Sequence, residues 1–129
     1  AADTISVINY TGAAAATCTL PAATAGTVVV YCQAVDTTGG TNTLVFDAAG
    51  SDVWATGSVI ESRGSSEATF DTSAAGETKL TFTPANAATN LLTTGGQIAF
   101  ICYEDATWHI ATKLSAETTQ TTGVFAFAS

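Results

Sequence analysis

Positive charge is the scarcest commodity in this chain. Only Arg63, Lys79 and Lys113 carry it, against eleven acidic side chains, for a net charge of −8. Proteins that hold nucleic acid gain much of their affinity by neutralising phosphates, and anionic membranes attract basic segments. The chain is therefore expected to bind neither nucleic acid nor membrane. An acidic surface keeps copies in solution and repels other acidic matter. Methionine is absent altogether; a start at Ala1-Ala2-Asp3 fits removal of an initiator and fits maturation cleavage equally well. No hydrophobic run approaches the ~20 residues that span a bilayer, and no basic segment leading into an apolar one has the pattern of a secretory leader.

Cysteine and histidine are also rare. The three cysteines, Cys18, Cys32 and Cys102, are an odd number. Cys18 and Cys32 fall on candidate neighbouring strands and could face each other, but as isolated cysteines they read first as small buried apolar residues. No CxxC or Cys/His spacing suits a metal, and folding in a reducing compartment is the expectation. The single histidine, His109, lies between Trp108 and Ile110, with no Ser, Cys or carboxylate at a catalytic spacing. It is expected to be a surface or hydrogen-bonded strand histidine. With two prolines and eleven glycines, turn punctuation is carried mostly by glycine.

What the chain has in abundance is Ala and Thr, together about two-fifths of its 129 residues. The alanines follow no 3.6-residue apolar rhythm, so they serve as small residues for tight turns and close sheet packing. Strand signals dominate. Leu20-Pro21-Ala22-Ala23-Thr24-Ala25-Gly26 is a small-residue turn leading into Thr27-Val28-Val29-Val30-Tyr31-Cys32. Gln97 to Tyr103, the turn Glu104-Asp105, and Thr107 to Lys113 form a hairpin. Thr27 to Phe46 reads as a second hairpin with a long polar loop through Gly39-Gly40. Further strands are expected at Thr4 to Tyr10 (Ile5 and Val7 on one face), Thr17 to Leu20, Val53-Trp54, Ser58 to Glu61, Ala68 to Phe70, Thr78 to Thr83 and Val124 to Ala128. Residues 84–92 are the one place for a short helix, or else an irregular loop. About ten short strands predict a single all-β domain spanning residues 1–129, an antiparallel sandwich or barrel-like fold. Within it, residues 114–129 form a connector and a C-terminal strand whose Phe125 and Phe127 are expected to pack on a neighbouring copy.

Candidate sites are few. Asp47 and Asp52 flank a Gly-Ser turn, and such hard oxygen ligands can hold Ca²⁺, yet aspartates also populate turns by bonding local amides; no metal or other cofactor is expected. Carboxylate pairs such as Glu61 with Glu67 can in principle serve glycoside chemistry, but eleven scattered acids make some pair inevitable. Gly39-Gly40 and Gly95-Gly96 lack the Lys-Ser/Thr of a phosphate loop. Trp108 is assigned to the core. Trp54, beside Asp52 and Gly57, is a candidate interface residue, able to stack on a sugar ring or anchor a partner. No catalytic residues are assigned, and the chain is not expected to be an enzyme.

Leu20-Pro21-Ala22-Ala23, Gly26, Val28-Val29-Val30, Leu44-Val45-Phe46, Gly50-Ser51, Ile98 to Ile101 and Trp108 together resemble a β-rich module of tailed-bacteriophage virion proteins. The resemblance runs from Thr19 to Ile110 and departs from the usual pattern between Ser51 and Thr94. It implies a structural role in tail fibres, spikes or small capsid-surface proteins, self-association that is often trimeric, and no cofactor. The shortness of the chain favours a capsid decoration (cement) protein, made in the host cytoplasm and seated on the major capsid protein at the outer surface of the virion. A tail fibre, spike or carbohydrate-binding receptor module is the alternative.

Overall fold

The densest run of β-branched residues forms the strand around which the rest is built. Thr27–Gln33 alternates strictly, with Thr27, Val29, Tyr31 and Gln33 buried and Val28, Val30 and Cys32 half-buried. Burying a side chain such as Val29 contributes roughly 1.5–3 kcal/mol, and a one-residue slip would turn that whole set away from the core. This pattern fixes the register against both neighbouring strands.

The computed structural model describes residues 4–11, 14–34, 43–63, 68–83, 96–114 and 124–129. Among them are eleven strands and no helix: β1 (Thr4–Tyr10), β2 (Ala16–Thr19), β3 (Thr27–Gln33), β4 (Leu44–Asp47), β5 (Val53–Trp54), β6 (Val59–Arg63), β7 (Ala68–Thr72), β8 (Lys79–Thr83), β9 (Gln97–Glu104), β10 (Thr107–Leu114) and β11 (Val124–Ala128). The first sheet has the order β1-β3-β9-β10-β5, the second β11-β8-β4-β2, and β6-β7 is a separate two-stranded ribbon. The two larger sheets face each other. Tyr31 meets Phe46 edge-to-face at 4.8 Å, Phe46 meets Phe100 at 5.2 Å, and Trp54 meets Phe127 at 5.8 Å, each pair bridging the layers.

The all-β, sandwich-like expectation holds, with two differences. The sheets are mixed, because β1 runs parallel to β3, β2 to β4, and β5 to β10. Thr27 to Phe46 is also not a hairpin: β3 pairs with β1 and β9, while β4 lies in the opposite sheet between β2 and β8. The chain crosses between layers at each step from β1 to β4, so each sheet edge is built from alternate strands. The β9–β10 hairpin forms as expected, with two register shifts in β10. The helix considered for 84–92 lies outside the described residues.

The small-residue turn is the keystone of one end. Gly26 adopts a φ of 92°, which L side chains rarely tolerate. Its N–H donates to the Cys102 carbonyl at 2.8 Å, and its own carbonyl accepts from Thr4 N–H at 3.1 Å. Two aspartates satisfy the neighbouring amides: Ala23 N–H donates to Asp52 Oδ2 at 2.6 Å and Ala25 N–H to Asp105 Oδ1 at 2.9 Å. The turn thereby ties together β1, β9, the β9–β10 turn and the segment before β5.

Candidate functional site

The inward faces leave little room for chemistry. Trp54 is 0 % exposed and packs against Phe100 and Phe127. That corrects its assignment to an interface. The polar residues beside it in the sequence belong to turns, and they say nothing of which way the indole points. With no face open to solvent, Trp54 cannot stack on a sugar ring. Phe127 is likewise buried in its own domain: β11 pairs antiparallel with β8, and Phe127 N–H donates to Asp71 Oδ2 at 2.6 Å. Phe125 lies in the same strand, opposite Phe82. The C-terminal strand is thus an element of this sandwich, where the sequence suggested a reach to a neighbour.

The candidate metal ligands are accounted for separately. Asp47 sits in β4 opposite Lys79, and the Asp52 carboxylate accepts the Ala23 amide. No cluster of three or more His, Cys, Asp or Glu that could hold a metal ion occurs among the described residues. The three cysteines are free. Cys18 packs against the core, whereas Cys32 lies on the face of β3 opposite the buried Tyr31 and Gln33, so the possibility of a facing pair is not realised.

The outward face of the first sheet is different. Cross-strand register places Ile5 beside Val28, Val28 beside Ile101 and Ile101 beside His109, and a second row runs Val7, Val30, Ala99. Across four strands these rows carry no carboxylate, ammonium or guanidinium. Ile5 is 72 % exposed and Val7 66 %. Both lie on β1, an edge strand of the sheet, where soluble proteins usually place charge or proline to discourage pairing. The sequence put Ile5 and Val7 on one face of β1, but it is Ile8 and Tyr10 that pack against the core. An edge strand apolar on both faces is the signal that was available for this surface, and single alternation does not decode it.

At the far end of the same face, Tyr103 and His109 stack with ring centroids 3.9 Å apart and planes 20° off parallel. The Tyr103 hydroxyl lies 2.9 Å from Nδ1, and Glu104 Oε1 lies 3.4 Å from Nε2. Tyr103 is 63 % exposed. The hydrogen-bonded strand histidine expected from the sequence is what the fold provides, and Tyr103 is its unforeseen partner. No serine or cysteine nucleophile bonds this imidazole among the described residues. The pair therefore extends the apolar rows with an aromatic surface of modest polarity. Comparison with known proteins adds no relative: no family model, no curated protein and no solved structure matches the chain.

These observations define a class, an all-β sandwich domain that presents apolar rows on the outer face of one sheet, bordered by an apolar edge strand.

Proposed function

We propose that this chain is a non-enzymatic structural protein of a tailed-phage virion, a capsid decoration protein whose outer sheet face seats on the major capsid protein. The observation that carries the reading is the apolar outer face on which Ile5 and Val7 stand exposed beside half-buried Val28, Val30 and Ile101. A domain with no neighbour gains nothing from two large aliphatic side chains held in water on an edge strand, whereas a contiguous apolar patch marks an interaction surface. Repetition over a shell supplies avidity, so each contact can be modest. Self-association as a trimer belongs to the same proposal and rests on the resemblance to phage virion modules.

The test is placement on the particle. Antibody against the folded chain is expected to label the outer surface of purified virions, and the chain is expected to remain with capsids after tails are removed. Label confined to tails would support the fibre or spike reading instead. A chain absent from purified particles would overturn both.

A further inference from the structure

β1 of the first sheet and β2 of the second lie along the same side of the sandwich, and among the described residues the space between them is not filled. An apolar pocket of about 150 Å³, open on one side, lies there, walled by Ile8 and Tyr10 of β1, Cys18 of β2, Tyr31 of β3 and Leu44 and Phe46 of β4, with Ala16 at its rim. Its wall is almost wholly apolar. The Tyr31 hydroxyl donates to Gln33 Oε1 at 2.6 Å, and the Tyr10 hydroxyl to the Ala14 carbonyl at 2.9 Å. Both phenols thus present ring carbons to the cavity and spend their polar tips elsewhere. Burial pushes the Cys18 thiol above its ordinary range, so it stays neutral at physiological pH.

Such a wall offers water few of the two to four polar partners it needs, and apolar cavities of about this volume take up benzene or xenon. The ring geometry suits the same guest. Tyr10 and Tyr31 stack at 6.2 Å, and Tyr31 meets Phe46 edge-on, so an incoming ring finds both π faces and ring edges to contact. The mouth of the pocket can also widen. β1 is held only by β3 and β2 only by β4, so these two edges can part without breaking an interior ladder.

We propose that this cavity is a binding site for one small, neutral, apolar group, an unsubstituted aromatic ring or compact branched alkyl of about benzene size. The inference is independent of the virion reading, since it concerns the inner edge of the sandwich and not the outer sheet face.

The test is a methyl-detected NMR titration of the full chain with benzene, repeated with phenol and under xenon pressure. Saturable shifts are expected at Ile8, Ala16 and Leu44 for benzene and xenon, with phenol at least tenfold weaker. Ala16→Leu and, independently, Cys18→Leu fill the cavity from β2 and are expected to abolish those shifts while keeping a cooperative unfolding transition. If neither variant folds, the titration of the parent chain still decides. Unmoved methyls at Ile8 and Leu44 would overturn the proposal. So would shifts confined to Ile5 and Val7, which would report adsorption to the outer face, and so would a folded filling variant that binds benzene as well as the parent.

Discussion

Ala106 closes the β9–β10 hairpin with a φ of 65°, among the described residues the one non-glycine residue in the left-handed region. It is held there from both sides, its N–H donating to the Ala23 carbonyl and its carbonyl accepting from Val53 N–H. The left-handed conformation costs an L residue about 1–2 kcal/mol. Glycine escapes that cost but loses about 0.5–1 kcal/mol more backbone entropy on folding than alanine. Ala106→Gly is therefore expected to raise stability by about 0.5–1 kcal/mol in urea denaturation, and Ala106→Val, β-branched at the same φ, to lower it. The buried weak acids give a second expectation. Burial pushes the Tyr31 phenol and the Cys18 and Cys102 thiols above their ordinary values. The unfolded chain thus releases these protons at a lower pH than the folded one, and the stability they leave intact at neutral pH declines as pH rises. The decline begins near the unfolded thiol value of about 8.5 and steepens beyond the phenol value of about 10. Urea midpoints measured from pH 7 to 11 should fall across this window, and Tyr31→Phe should soften the upper part of the fall.

At the scale of the element, strands whose two faces differ were legible, and strands whose faces agree were not. β3, β8 and the β9–β10 hairpin announced themselves because one side of each is buried and the other is not. β1 concealed its orientation, since Ile5, Val7, Ile8 and Tyr10 supply apolar groups to both sides. Pairing was concealed for a different reason. Gly39-Gly40 signals a reversal of the chain, but a reversal does not choose a partner, and β3 gains more from the long ladders with β1 and β9 than from the four-residue β4. Trp54 was misplaced because Asp52 and Gly57 reflect the turns around β5 and not the environment of the indole. The outer face, the part of the site hardest to read, is also the easiest to test. Ile5→Lys with Val7→Lys replaces exposed side chains, so stability should move by no more than about 0.5 kcal/mol. On the proposed virion reading, binding to capsid shells, followed by co-sedimentation, is expected to be lost. Retained co-sedimentation would remove the sheet face from the capsid contact.

Across the whole molecule the two sides of the sandwich are finished differently. On one side β11 completes the second sheet, the β6–β7 ribbon packs against it, and Ile60, Trp54 and Phe127 join the core. Ser73 stitches that side, its backbone N–H donating to the Ser58 carbonyl and its hydroxyl to the Ala55 carbonyl. On the other side β1 and β2 leave a void between them. Removing residues 124–129 strips the cover from Trp54 and one of the two ladders from β8. The truncated chain is expected to lose its cooperative thermal transition and to bind a hydrophobic dye. Phe127→Ala alone should cost about 3–5 kcal/mol, a large share of the 5–15 kcal/mol that typically separates folded from unfolded domains. Melting curves of the two variants, compared with the parent, check both expectations.

The interleaved strand order has a consequence for how the molecule is made. As the polypeptide leaves the ribosome, β3 and β4 emerge long before their antiparallel mates, β9 and β8. Neither layer is complete on the nascent chain until β10 and β11 have followed. Val29 and Tyr31 of β3 and Phe46 of β4 gain their full cover only when those later strands arrive.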